Sequence, residues 1–307
     1  MFILVFAVVG AFAQLIDGTL GMAFGVTSSS LLVVVGATPV AASAAVHFAE
    51  LGTTFASGAS HWREKNVDWR IVARLGIPGA IGAGIGSTLL SRFSLADAKV
   101  WMSWLLIVLG VILILRFSFG VKIVPVVAKK PTSKLLAPLG LIAGFVDTSG
   151  GGGWGPITTP TLLSTTNTEP KMVIGTVSAS EFLVAVAASI GFLAGSATEG
   201  LDWEVVAGLL LGGVLMAPFA AHLAGRIPHA PFGVLIGGVV IATNSRTIML
   251  ANGRSSPTIA IVLIVLTLVV TVLSLRAWSH ERKVGIEHSL FETEFATSEP
   301  DESDNSK

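Results

Sequence analysis

Apolar residues in this chain fall in blocks of about 18 or more with few charges, the length an α-helix needs to cross a hydrocarbon core of about 30 Å. The segments are Phe2 to Ala37 with an interruption, Pro39 to Ser60, Trp69 to Leu90, Val100 to Arg116, Leu135 to Leu163 with an interruption, Pro170 to Ala197, Trp203 to Ala224, Phe232 to Leu250, and Pro257 to Trp278. Short polar loops separate them. The pattern predicts an all-α polytopic membrane protein. Beyond Trp278 the chain turns charged and mostly acidic, which predicts a disordered cytoplasmic tail. The first run ends in Ala11-Phe12-Ala13, like the small-residue cleavage site of a signal peptide. No Lys or Arg precedes it, however, and the same stretch recurs later, so it is expected to be retained.

That recurrence organises the chain. One constant offset pairs Ala7 with Ala137, Gly10 with Gly140, Asp17 with Asp147, Gly21 with Gly151 and Gly25 with Gly155, and sets Phe24 opposite Trp154. Slightly larger offsets pair Pro39 with Pro170, Glu50 with Glu181, and Asp68-Trp69 with Asp202-Trp203. Small residues match cheaply in membrane helices; acids and an Asp-Trp pair do not. The expected units are a first transmembrane repeat over 1–116, a basic linker over 117–134, a second repeat over 135–250, an extra helix over 257–278 and the tail over 279–307.

Basic residues concentrate in cytoplasmic loops. The loop after the second segment carries Arg63, Lys65 and Arg70, whereas its repeat counterpart, Gly195 to Glu204, carries none. Equivalent loops are therefore expected on opposite sides, the signature of an inverted repeat. If the two interrupted segments are re-entrant hairpins, each repeat is a hairpin plus three helices. Seven crossings follow, with the N-terminus outside and the C-terminus in the cytoplasm. Eight or nine full crossings form the rival arrangement.

Both interruptions are Gly-rich: Asp17-GTLGMAFG-Val26 and Asp147-TSGGGGWGP-Ile157. Four consecutive glycines, each costing about 1 kcal/mol against Ala inside a helix, predict an unwound stretch. Unwound backbone at membrane depth must be buried by protein or line water. The half-helix that resumes after each break presents free N–H groups and the positive end of its dipole, a ready site for an anion. Hydroxyl-rich sequence follows each break, with Ser28 and Ser29 in the first half and Thr158 and Thr159 in the second. Such hydroxyls either donate to a ligand or bond back to their own helix. The ionisable residues inside segments are Asp17, His47, Glu50, Arg74, Asp147, Glu181 and Arg246, and residues of this kind are functional by default. His47 and Glu50, three apart, share a helical face. Charged carboxyl groups are expensive in such surroundings, which suits them to carrying protons. Asp17 and Asp147 also read as caps of the half-helices.

Composition narrows the chemistry. Charged residues make up 12% of the 307, about half the usual share for a soluble chain, and 52% are hydrophobic. The absence of cysteine excludes disulfides, thiolate metal sites and cysteine nucleophiles. With 19 Lys+Arg against 19 Asp+Glu and no basic stripe, nucleic acid is not an expected partner. No HExxH, Gly-x-Ser-x-Gly or Walker motif is present, so neither an enzyme nor an ATP-driven pump is expected, and no metal or cofactor is called for.

The DTSGGGGWGPITTPTLL stretch from Asp147, its weaker echo DGTLGMAFGVTSSSLL from Asp17, the Pro170-to-Glu181 helix and the two-half layout resemble the TauE/SafE sulfite-exporter family, also called the toluene sulfonate uptake permeases. The resemblance covers about Phe2 to Leu275. It implies a secondary transporter of bacterial inner membranes for sulfite, sulfonates or similar anions. It also implies that Gly150, Gly151, Gly152, Gly153, Trp154, Thr158 and Thr159 line the substrate region. Leu20, Met22 and Ala23 stand where the pattern expects glycines in the first half, and Ser30 stands opposite Pro160. The expected site thus comprises those residues with Gly21, Gly25, Ser28 and Ser29 for the anion, and Asp17, His47, Glu50, Asp147 and Glu181 for coupling. Protons are the expected coupling ion, in an alternating-access carrier. A Na⁺-coupled or channel-like permease, with Asp17 and Asp147 on the ion, is the alternative, and a homodimer is compatible with either.

Overall fold

The computed structural model describes residues 2–93, 95–119, 131–195, 201–224 and 229–298. Its elements in chain order are α1 (Phe2–Leu20), α2 (Phe24–Val34), α3 (Pro39–Arg63), α4 (Trp69–Leu90), α5 (Leu95–Phe119), α6 (Ser133–Gly150), α7 (Trp154–Thr165), α8 (Pro170–Ala194), α9 (Trp203–Leu223), α10 (His229–Ala251) and α11 (Ser256–Ser298). The described residues form no strand. Each interrupted segment is a pair of helices, α1–α2 and α6–α7, split where the glycines fall.

Local chemistry starts the helices where the sequence marks them. The Asp68 carboxylate accepts from the amides of Arg70 (2.8 Å) and Ile71 (3.3 Å), and Asp202 accepts from those of Glu204 (2.9 Å) and Val205 (3.4 Å). The repeated Asp-Trp pair is thus an N-cap followed by a Trp that stays about half exposed. Thr38 caps α3 in the same way, accepting from Ala41 N at 3.1 Å, with Pro39 in the first turn.

Seven helices among the described residues are long and apolar enough to cross a membrane, namely α1, α4, α5, α8, α9, α10 and α11. The number matches the expectation, but the membership differs. α1 qualifies by itself, although the pattern assigned it to a hairpin. α3 is long enough yet less apolar, because it carries His47, Glu50 and a series of hydroxyls inward. Large apolar side chains stand exposed along the outside, among them Ile77, Ile81 and Ile85 on α4 and Leu211, Leu215 and Phe219 on α9. Contiguous surface of that kind is stable against lipid tails and a liability in water. α11 runs on as helix to Ser298, past Trp278 where a disordered tail was expected. The sequence there holds four glutamates with Arg282, Lys283, Leu290 and Ala296, good helix formers continuing a helix already nucleated. Residues 299–307, and most of the expected linker over 117–134, lie outside the described residues.

Packing repeats as the sequence does. α1 lies along α9, and α6 lies along α4; α3 packs on α9 as α8 packs on α4; α3 meets α8, and α5 meets α10. Exchanging the halves maps this set of contacts onto itself, with α11, resting on α10, outside it. The paired helices touch through backbone. A Cβ built on Gly140 or Gly144 of α6 would collide with the carbonyls of Leu75 and Gly79 on α4. One on Gly10 or Gly212 would collide with Leu209 or Ala7 across the α1–α9 contact. With no hydrophobic gain between helices in lipid, this close approach supplies the dispersion contact that holds them.

Gly144→Ala should therefore lower stability by about 1–3 kcal/mol through overpacking. Gly84→Ala, whose new methyl meets open space on α4, should raise it by up to about 1 kcal/mol through helix propensity. Thermal unfolding of the purified chain in detergent would distinguish the two.

Candidate functional site

At each break the chain unwinds over three residues, and the two unwound turns lie against each other. The first has Gly21 at φ 68° and Ala23 at φ 111°, and the second has Gly151 at φ 73° and Gly152 at φ 147°. An alanine at φ 111° is strained and persists only where its surroundings dictate it. Here Ala23 is 3% exposed and leads directly into α2. The contacts between the breaks are reciprocal. Thr159 Oγ1 on α7 donates to the Gly21 carbonyl at 2.6 Å, and Ser29 Oγ on α2 donates to the Gly151 carbonyl. Ser29 and Thr159, like Gly21 and Gly151, are repeat partners. A Cβ on Gly25 would lie 2.8 Å from Gly152 Cα, and one on Gly155 would lie 2.5 Å from Met22 Cα, so backbone meets backbone across the crossing.

Each aspartate ahead of a break reaches across it. Asp17 Oδ1 accepts from Phe24 N (3.4 Å) and Asp147 Oδ1 from Trp154 N (3.0 Å). Their carbonyls accept from Gly21 N (2.6 Å) and Gly152 N (2.8 Å). The two residues thus occupy the anion position at the N-termini of α2 and α7, with the favourable helix-dipole term.

Asp147 has a second partner. Its Oδ2 is 3.1 Å from His47 Nε2, and both side chains are almost fully buried. His47 Nδ1 lies 2.7 Å from the Ser43 carbonyl, which only accepts, so Nδ1 carries a proton. The Nε2–Oδ2 contact then requires one further proton, held by imidazole or carboxyl. Ser43 Oγ, one turn earlier, donates to the Thr148 carbonyl at 2.8 Å and ties α3 to the second break. Glu50 Oε2 stands 3.8 Å from the same Nε2, yet both Glu50 oxygens are buried without a hydrogen-bond partner. His47, Glu50 and Asp147 each bring a ligand atom within 4.8 Å of the others, a spacing that could surround a cation. Glu181 is also buried, and its charge field includes Asp17, Glu50 and Asp147. Four carboxyl groups and one imidazole therefore share the centre.

The expected anion-binding groups divide. Gly21, Gly25, Gly151 and Gly152 form the crossing itself, while Gly150 faces Leu105 and Gly153 faces Val146 and Asp147. Trp154 is fully buried and donates through Nε1 to the Val177 carbonyl at 3.2 Å. Thr158 bonds back to the Trp154 carbonyl, and Ser29 and Thr159 are committed to the clasp. Ser28 is the hydroxyl among them that is buried and unpartnered. Arg74 and Arg246 are exposed and outside this centre. Arg116 ends the fourth apolar segment of the sequence, and α5 continues past it to Phe119. Its Nη1 lies 3.8 Å from Met22 Sδ at the first break. Asn244 reaches the same region, donating to Ser30 Oγ at 3.0 Å; its polar interruption of an apolar run was the signal for it.

Helices able to cross a membrane, wrapped around buried ionisable groups and two broken helices, are the build of a membrane transporter. Residues 6–247 match the family described as Sulfite exporter TauE/SafE, and the chain belongs to that family. It is similar to the "Probable membrane transporter protein YtnM" of Bacillus subtilis (strain 168), at 47% identity over 263 residues that cover 84% of this chain and 87% of the relative. It is more distantly similar to the "Probable membrane transporter protein YjnA" of the same organism, at 22% identity over 249 residues, 78% of this chain and 97% of the relative. No solved structure shows a match.

If the reciprocal hydroxyls hold the crossing, Thr159→Val and Ser29→Ala should each cost about 1–3 kcal/mol, because each strands a buried carbonyl. Thr267→Val, at an exposed hydroxyl that bonds only its own helix, should cost little. Unfolding midpoints of the three variants make the comparison.

Proposed function

We propose that this transporter is a proton-coupled secondary carrier. It moves a small organic or sulfur-containing anion, such as sulfite or a sulfonate, across the inner membrane by alternating access between two inverted repeats. The observation that carries this reading is the gathering of the buried carboxyl groups Asp17, Glu50, Asp147 and Glu181 at the crossing of the two broken helices, with His47 against Glu50 and Asp147. An anion is repelled by that many carboxylates in a low-dielectric interior. It becomes tolerable when protons neutralise them, so anion and proton enter as companions. The N-termini of α2 and α7 then offer their amides as soon as Asp17 or Asp147 gives up its place as the resident anion. Ser28 and Arg116 supply further donors at the same level.

Two features favour protons over Na⁺. The unwound carbonyls of Gly21 and Gly151, which a Na⁺ site would borrow, are already taken by Thr159 and Ser29. The His47–Asp147 contact, in turn, needs a shared proton to form at all. The basic α3–α4 loop is assigned to the cytoplasm by the positive-inside rule.

In proteoliposomes loaded with sulfite, an imposed pH gradient should drive anion flux in the wild type. Glu50→Gln should still exchange sulfite but lose the response to the gradient, and a folded Gly152→Leu should be inactive. Flux that ignores pH and follows a Na⁺ gradient would favour the alternative.

A further inference from the structure

Polar atoms buried without a protein partner are costly unless water reaches them, and in this bundle they line up. Along α3, both carboxyl oxygens of Glu50, Thr53 Oγ1, Ser57 Oγ and both ring nitrogens of His61 are buried and unpartnered. The residues are 0–1% exposed. Spacings of three, four and four residues place them on one helical face, a stripe about 16 Å long at 1.5 Å per residue. That is about half the hydrocarbon thickness. Elsewhere in the bundle Gln14 Nε2 on α1 and Ser178 Oγ and Ser189 Oγ on α8 are also buried and unpartnered. The Gly18 backbone faces the His61 ring.

The matching positions of the other half are apolar. The offset that pairs Glu50 with Glu181 pairs Thr53 with Val184, Ser57 with Ala188 and His61 with Phe192. All three partners are apolar and fully buried. The niches correspond in space as well as in sequence. Thr53 sits against Gly213 beside the Phe24 ring, and Val184 sits against Gly79 beside the Trp154 ring. Phe192 packs its ring 5.9 Å from that of His47.

We infer that the face Glu50, Thr53, Ser57, His61 is a one-sided water path. It joins the central acids to the end of the bundle that carries Arg63, Lys65 and Arg70, while Val184, Ala188 and Phe192 seal the opposite approach. Hydroxyls both donate and accept, so Ser57 and Thr53 can order a file of waters, which Val and Ala cannot do. A hydronium formed at the mouth beside His61 passes its proton along the file, and the Glu50 carboxylate takes it to become the neutral acid, leaving water behind. Asp17 from α1, Asp147 from α6, Glu181 from α8 and His47 on α3 itself are the charged groups that face Glu50. The path rests on the proton-coupled reading for its purpose, though not for its geometry.

The chain has no cysteine, so single substitutions report on it directly. In sealed vesicles of either orientation, a small charged methanethiosulfonate should modify Ser57→Cys and Thr53→Cys from the side on which it modifies Lys65→Cys. The rate should exceed those of Ala188→Cys and Val184→Cys by about tenfold or more, since the reactive thiolate forms in water. If neither Ser57→Cys nor Thr53→Cys reacts faster than Ala188→Cys, or if they react from the side opposite to Lys65→Cys, the path does not exist. The assay uses no substrate and no proton gradient. Rapid labelling with pH-indifferent flux would keep the path and remove the coupling, and coupled flux without labelling would do the reverse.

Discussion

Two helices that each lose their hydrogen-bond ladder in the middle of a membrane protein hold one another by that defect. Gly21 and Gly151 expose carbonyl oxygens that lipid cannot satisfy, and each is met by a hydroxyl from the opposite half, Thr159 and Ser29. An unmet backbone group at that depth costs several kcal/mol, so neither half can keep its break without the other. Glycines at 25, 152 and 155 let the backbones come close enough for the exchange. The long helices follow from this crossing: α1 and α6 are carried onto α9 and α4, and α3 and α8 are left in the middle beside the breaks.

The same crossing explains why so much ionisable chemistry is tolerated inside. Asp17 and Asp147 are required by the helix starts they cap, so two carboxyl groups come with the architecture. Glu50 and Glu181 arrive on α3 and α8, the helices nearest the crossing, and His47 bridges toward Asp147. Symmetry stops there. His47 faces a paired, well-packed region ending at Phe192, whereas the other end of α3 is studded with polar atoms that nothing in the described structure satisfies.

Much of this was legible in the residues. The Gly150–Gly153 run could not stay helical, the matched acids Glu50 and Glu181 marked the central helices, and the repeated Asp-Trp pairs marked helix starts. What was hidden has physical causes. The first break reaches φ 111° at Ala23, a residue with no propensity for it, because tertiary contact outweighs local preference. His61 and Arg116 lie at or just beyond the ends of their apolar segments, and hydropathy does not show how far a helix extends past its apolar span. The fate of Ser29, Thr158 and Thr159 depended on which carbonyl lay nearest in the fold, and spacing along the chain carries no such information.

A central site shared by inverted repeats requires the two halves to face opposite ways through the bilayer. Cysteines placed at Lys65 and Asp202, equivalent loops of the two repeats, test this when intact cells are treated with an impermeant thiol reagent. Asp202→Cys should label from outside and Lys65→Cys only after the membrane is opened. Labelling of both from the same side would contradict the shared central site.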